Sequence, residues 1–171
     1  MLTEKEIIKF VKPFYAQKDP MHGFSHILRI KRKVSSLKKQ YKKTDKDMLI
    51  FLIYFHGIKK WVKENENKLL SLGFKKEQIN SLTRVEYTST TIEEKIVCDA
   101  NMLENVGKFG IRKSLILARY YKQTKKETLL SQKQFMSKYR FYTPLGKRLG
   151  NLGIKIKREW LKKEMNKLKM K

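Results

Sequence analysis

The longest unbroken apolar run in the chain, MLIFLIYF at residues 48–55, decides most of what can be built around it. Eight such residues in a row leave no polar face, so the segment has to be covered on all sides. A membrane-spanning helix needs roughly 20 apolar residues, so the cover must come from the rest of the protein. Taken alone, the run suits a buried strand as well as a buried helix. Its neighbours carry helical periodicity and no second strand-like run exists, which favours a central buried helix capped by Thr44 or Asp45.

The flanking segments read the same way. Thr3-x-x-Glu6 is a capping-box pattern, with Ile7, Ile8, Phe10 and Val11 behind it and Pro13 near the end of that helix. Ile27, Ile30, Val34, Leu37 and Tyr41 recur at three- and four-residue steps and predict a helix over about 24–41. A short helix over about 61–71 would end at Gly73, suited to a left-handed C′ position. Ile79, Leu82 and Val85 mark an amphipathic stretch. A second capping box, Thr91-x-x-Glu94, precedes Ile96, Val97, Ala100 and Leu103. Residues 115–121 are again helical in pattern, and 133–142 read as a loop. Thr143-Pro144 opens a last helix through Leu145, Leu149, Leu152, Ile156, Trp160, Leu161 and Leu168, with a break expected near Gly150 and Gly153. There is no repeat and no linker. The prediction is an all-α single domain over 1–171, in which 143–171 form a long basic C-terminal helix.

Charge adds the strongest functional hint. The 171 residues carry 41 Lys and Arg against 16 Asp and Glu, a formal net charge of +25. The excess is not spread evenly: residues 29–46 hold nine basic and one acidic group, 108–140 ten and one, and 141–171 ten and two, whereas 47–107 hold eight and nine. Self-repulsion on this scale opposes compaction, so a polyanionic partner, nucleic acid above all, is the economical explanation. A single cysteine, Cys98, excludes an internal disulfide framework, and Met1–Phe10 lacks the basic, apolar pattern of a signal peptide. The expectation is a cytoplasmic protein with no membrane partner and no obligate homo-oligomer.

Three histidines and one aspartate carry the remaining chemistry. His22 and His26 stand four apart at the entrance to the second helix, His56 follows the apolar run, and Asp99 lies on the buried-looking face of a capped helix. Imidazole and carboxylate from separate helices are how a divalent ion is held inside a bundle. Each also has an ordinary reading: a hydrogen-bonded core histidine, or a buried carboxylate paired with a neighbouring donor.

In order, His22-Gly-Phe-Ser-His26-x-x-Arg29-Ile30, LIYFHGI at 52–58 and EEKIVCDANMLENVGKFGI at 93–111 resemble the HD-domain phosphohydrolase superfamily, in its small single-domain prokaryotic form. Thr143-Pro-Leu-Gly-Lys147, leading into a long helix, extends the likeness over roughly 15–168. The resemblance implies an HD-type helical fold in which a divalent ion, held by the first histidine, a His-Asp pair and a distant aspartate, activates water for attack on a phosphate ester. Position by position, these would be His26, His56, residue 57 and Asp99. Position 57 is glycine, Asn101 stands where the third segment usually has its second aspartate, and Glu86-Tyr87 occupy roughly the place of a further expected histidine. Some catalytic zinc sites use three protein ligands, but hard cations such as Mg²⁺ and Mn²⁺ prefer carboxylate oxygens. His26, His56 and Asp99 are therefore remnant candidates for a residual Mn, Fe, Ni, Mg or Zn ion, no resident cofactor is expected, and the reading leans away from an enzyme.

The basic blocks supply the alternative emphasis. Arg29, Arg32, Lys33, Lys38, Lys39, Lys42 and Lys43 form the first candidate phosphate-binding set; Arg112, Lys113, Arg119, Lys122, Lys125, Lys126, Lys138 and Arg140 the second; Lys147, Arg148, Lys155, Lys157, Arg158, Lys162 and Lys163 the third. Tyr120, Tyr121, Phe135, Tyr139, Phe141 and Tyr142 are interleaved with them, and aromatics beside cations either stack on unpaired bases or belong to the core. No zinc finger, ribonucleoprotein signature or KH clamp is present, so binding by charge and shape is expected. The sequence thus predicts a catalytically impaired HD-type protein that binds structured RNA, ribosomal RNA and a ribosomal particle being the expected targets. The alternative is an active phosphohydrolase acting on a nucleotide or another phosphate ester.

Overall fold

Several helix starts in this protein are written in local side-chain hydrogen bonds. A computed structural model describes residues 2–85 and 88–170; Glu86 and Tyr87 lie outside the described residues. Thr3 caps α1 (Glu4–Ala16): its hydroxyl accepts from the Glu6 N–H, and Glu6 accepts from the Thr3 N–H in return. α2 (Phe24–Leu37) is shorter than its periodicity suggests, because residues 38–40 tighten into a single 3₁₀ turn and Tyr41 is extended. Asp45 caps α3 (Lys46–Phe55) by accepting from the Met48 N–H at 2.9 Å. The apolar run is therefore helical, and Phe51, Leu52, Ile53, Tyr54 and Phe55 are all buried.

After a 3₁₀ turn at His56–Ile58, the segment expected as one helix is two, α4 (Lys59–Glu64) and α5 (Glu66–Ser71), and Gly73 takes the left-handed position at φ 87°. α6 (Lys76–Arg84) is followed by α7 (Ile92–Met102), whose start is fixed by both halves of the Thr91/Glu94 box. α8 (Gly107–Tyr120) and α9 (Lys125–Met136) come next. α9 turns part of the expected 133–142 loop into helix; the Thr124/Glu127 box that starts it is itself fully formed. α10 (Pro144–Lys167) is unbroken at Gly150 and Gly153. Those glycines serve close packing: a Cβ at Gly150 would come within 2.3 Å of the Phe141 ring, and one at Gly153 within 2.6 Å of Val106. No strand occurs among the described residues, and none of their helices is long and apolar enough to cross a membrane.

The chain divides into two compact units. The first holds the residues up to Lys18 together with His22–Cys98. Its interior is aromatic: Phe51 stacks on Phe55 with ring centroids 4.6 Å apart, Phe74 meets both, and Phe10 and Phe14 close on Trp61 at 5.4 and 5.0 Å. The second holds Asp19–Met21 together with the residues from Asp99 onward. Its helices α8, α9 and α10 pack around Leu129, Leu161 and Met165.

Candidate functional site

The start of α2 and the turn after α3 bring two of the predicted ligands together in the first unit. His26 and His56 are both buried, with their Nε2 atoms 3.3 Å apart. The carbonyl of Ile53 can only accept, so the His56 Nδ1, 2.9 Å from it, carries the proton. The His56 Nε2 then offers a lone pair, and the His26 Nε2–H donates to it. Burial, the neighbouring His26, and the Lys59 and Lys18 ammonium groups together hold the His56 imidazole down at about 3, so it is neutral at ordinary pH. His22, half-buried in the turn before α2, meets the His26 ring edge to face at 5.6 Å.

What fills the space beside position 57, where the sequence resemblance predicts an aspartate, is visible at Gly57. A Cβ built there would lie 2.7 Å from the Tyr15 Cε1 and 2.8 Å from its hydroxyl oxygen. Tyr15 is 1% exposed and locked from both sides: its O–H donates to the Tyr54 carbonyl at 2.8 Å and its oxygen accepts from the Gly57 N–H at 3.2 Å. Lys18 Nζ donates to the Gly57 carbonyl at 2.6 Å. The space beside the Gly57 Cα thus holds a phenol ring, and the Gly57 carbonyl holds an ammonium group. The donors that this unit gathers are two mutually hydrogen-bonded imidazoles, and the lysines that act on His56, Lys59 and Lys18, are both cations. That set suits a hard divalent ion poorly. For both imidazoles to ligate, His26 would have to carry its proton on Nδ1, and the ion would meet two positive neighbours.

Asp99 belongs to the second unit and has a complete set of donors there. One carboxylate oxygen accepts from the Tyr142 N–H at 2.8 Å; the other accepts from the Thr143 N–H at 2.7 Å and the Thr143 hydroxyl at 2.6 Å. Thr143 in turn caps α10 by accepting from the Gly146 N–H. A Cβ at Gly146 would collide with the Asp99 carboxylate at 2.0 Å, so glycine there admits the anion to the helix start. Burial raises the Asp99 carboxyl above its ordinary range, although the hydrogen bonds from Thr143 and Tyr142 pull the other way. The arrangement is that of a buried carboxylate anchoring a helix N-terminus. Asn101 is half-buried, and its carbonyl accepts from the Asn105 side chain. Among the described residues, neither unit gathers three or more His, Cys, Asp or Glu side chains that could hold a metal ion.

The predicted phosphate-binding residues fall into three groups by exposure. Lys113 and Lys157 leave the set, because both are buried. Lys157 donates to the Asn105 carbonyl, the Gln132 side chain and the Tyr139 hydroxyl at 2.8, 2.6 and 2.9 Å, and Lys113 donates to the Asn105 side chain. Desolvation, helped by Lys113, pulls the Lys157 amine down to about 8. Arg29 and Lys33 are half-buried. Every other member is exposed, from Arg32 to Lys43 in the first unit and from Arg112 to Lys163 in the second. Of the interleaved aromatics, Tyr120, Tyr121 and Phe135 are more than half exposed, whereas Tyr139, Phe141 and Tyr142 are half-buried.

Sequence reasoning missed Tyr15 and Lys18. Tyr15 sits on the apolar face of α1, four residues after Val11, and carries no signal beyond that of a core aromatic.

No protein-family model matches the chain, and no curated protein matches it. Solved structures do. A Lactobacillus plantarum protein superposes with a TM-score of 0.79 over 99% of each chain at 14% identity. Bacillus subtilis YpgQ, solved in complex with ADP, gives a TM-score of 0.68 at 16% identity over 96% of this chain and 97% of its own. A predicted HD superfamily hydrolase from an uncultured Thermotogales bacterium gives 0.58 at 17% identity over 96% and 92%. Likeness of this kind establishes the fold: the chain is an all-α protein of the HD type along nearly its whole length.

Proposed function

We propose that this chain is a catalytically impaired HD-fold protein that binds structured RNA, with ribosomal RNA as its expected target, through its exposed basic blocks. One observation carries the reading: the room that a side chain at position 57 would need is taken by the buried Tyr15 ring, with Lys18 on the Gly57 carbonyl. An anion that would help to hold a divalent ion and balance its charge is thereby replaced by a neutral ring and a cation. The excess of lysine and arginine lies elsewhere, on exposed faces, where phosphates can displace their counterions.

The alternative, an active metal-dependent phosphohydrolase, draws on the ADP complex of YpgQ. The two readings separate in one set of assays. RNA binding by the purified protein should weaken steeply with salt, log K falling by roughly 0.7–0.9 per neutralised phosphate for each unit of log salt. The triple reversal Lys122→Glu, Lys126→Glu, Lys138→Glu should weaken it at least tenfold, while His26→Ala leaves it within twofold. Nucleotide hydrolysis under Mn²⁺, Mg²⁺, Ni²⁺ or Fe²⁺ that disappears in His26→Ala, without RNA retention at physiological salt, would overturn the proposal.

A further inference from the structure

The second unit has a cleft of about 450 Å³ bounded by α8, α9 and α10, within the size range of small-ligand sites. Ala118 and Leu129, both buried, form its inner surface, the half-buried Trp160 forms one wall, and Leu115 stands open to solvent at 44%. Arg119 and Lys125 stand at its edge with Glu164. The one carboxylate is already spoken for, since Glu164 binds Lys125 at 2.6 Å and Lys167 at 2.7 Å. Lys122 and Lys126, next in sequence to the lining residues Gln123 and Lys125, are exposed. The cleft is thus mainly apolar within, Thr128 and Gln123 being its uncharged polar lining, and carries basic groups at its edge.

An occupant must match both properties: a flat apolar face to lie along the indole, and negative charge to meet the rim. Tyr120 and Tyr121, at the end of α8 beside Arg119, add exposed rings at 54% and 57%, packed edge to face at 5.0 Å. Indole and phenol faces among arginines and lysines are what single-stranded nucleic acid stacks on. A duplex offers phosphates but keeps its base faces covered by their neighbours. We propose that this cleft takes one unpaired nucleotide of an RNA strand, with the base against Trp160 and the phosphate toward Arg119. The inference rests on the RNA-binding reading and goes further, making α8–α10 a reader of loops and bulges where the other basic faces meet phosphates only.

The chain has two tryptophans, so Trp61→Phe leaves Trp160 as the sole indole reporter. That variant is titrated with a twelve-nucleotide oligouridylate and with a blunt RNA duplex of the same length, binding being followed by anisotropy of the labelled RNA and stacking by indole emission. Emission should fall in step with binding of the single strand and hold steady with the duplex. In the otherwise unaltered chain, Trp160→Leu should weaken the single strand roughly 5- to 100-fold, while the duplex affinity, which also reports that the variant is folded, stays within twofold. Single-strand binding with unchanged indole emission, or equal loss on both ligands, overturns the cleft assignment and spares the RNA reading. Failure of both RNAs to bind at low salt overturns both.

Discussion

At the residue scale, the contact between Gly57 and Tyr15 is the point on which the reading of the pocket turns. Adding one methyl as Gly57→Ala places it 2.7 Å from a ring that is buried and hydrogen-bonded on both sides, so the ring cannot swing clear. Overpacking of this kind costs about 1–3 kcal/mol. If Tyr15 is the obstacle, the pair Tyr15→Leu and Gly57→Ala will lose measurably less stability than the two single changes added together, as read by urea unfolding in a double-mutant cycle. That position 57 is a glycine was legible in the sequence. The ring packed against it was not, because the two residues stand 42 positions apart and a tyrosine on an apolar helix face carries no sign of which backbone it will cover. His56 makes a second prediction at this scale. Its folded value of about 3 lies below the unfolded 6.5, so between those limits the unfolded chain binds a proton that the folded chain refuses. The stabilising contribution is therefore present above pH 6.5 and is lost as pH falls toward 3, with a slope approaching about 1.4 kcal/mol per pH unit. His56→Asn, whose amide can still donate to the Ile53 carbonyl, should flatten that slope in unfolding curves taken from pH 7 to pH 4.

At the scale of elements, what the sequence showed well was local and what it hid was tertiary. The caps at Thr3, Asp45, Thr91 and Thr143 all form, because each is a contact across three residues that needs no partner helix. α9 escaped notice although Thr124 and Glu127 make an equally good box. Only Thr128 and Leu129 of its residues are buried, which leaves a weak apolar period under a heavy load of lysine. Gly150 and Gly153 suggested a break in α10 by propensity, yet the helix continues because Phe141 and Val106 occupy the space the missing side chains leave. Asp99 is the clearest case of a residue whose partners decide its role. Two N–H groups and a hydroxyl converge on its two oxygens, so Asp99→Asn would turn an NH₂ toward a donor and break a charge-assisted pair. A loss of about 1–3 kcal/mol is expected, with hydrogen exchange speeding up first in the opening turns of α10. A metal ligand with no structural duty would leave that exchange unchanged when mutated.

At the scale of the molecule, the net charge of +25 sets the terms on which any fold of this chain survives. Like charges raise the free energy of the compact state, and salt relieves the repulsion over a Debye length of roughly 8–10 Å at 0.10–0.15 M. Without RNA, the melting temperature should therefore climb as salt rises from about 20 to 300 mM, the range over which that screening length contracts. An RNA ligand that prefers the folded arrangement of these charges to the unfolded chain inverts the trend, since it supplies its own screening. At a free concentration 100 times its Kd it adds at most about 2.7 kcal/mol of stability, less whatever affinity it has for the unfolded chain. That increment shrinks as salt weakens the phosphate contacts. Melting curves with RNA should start high at low salt and fall, those without should start low and rise, and the two should converge near the salt at which binding is lost. Parallel curves would mean that the exposed lysines are ordinary solvated surface and that RNA, where it binds, does so without engaging them.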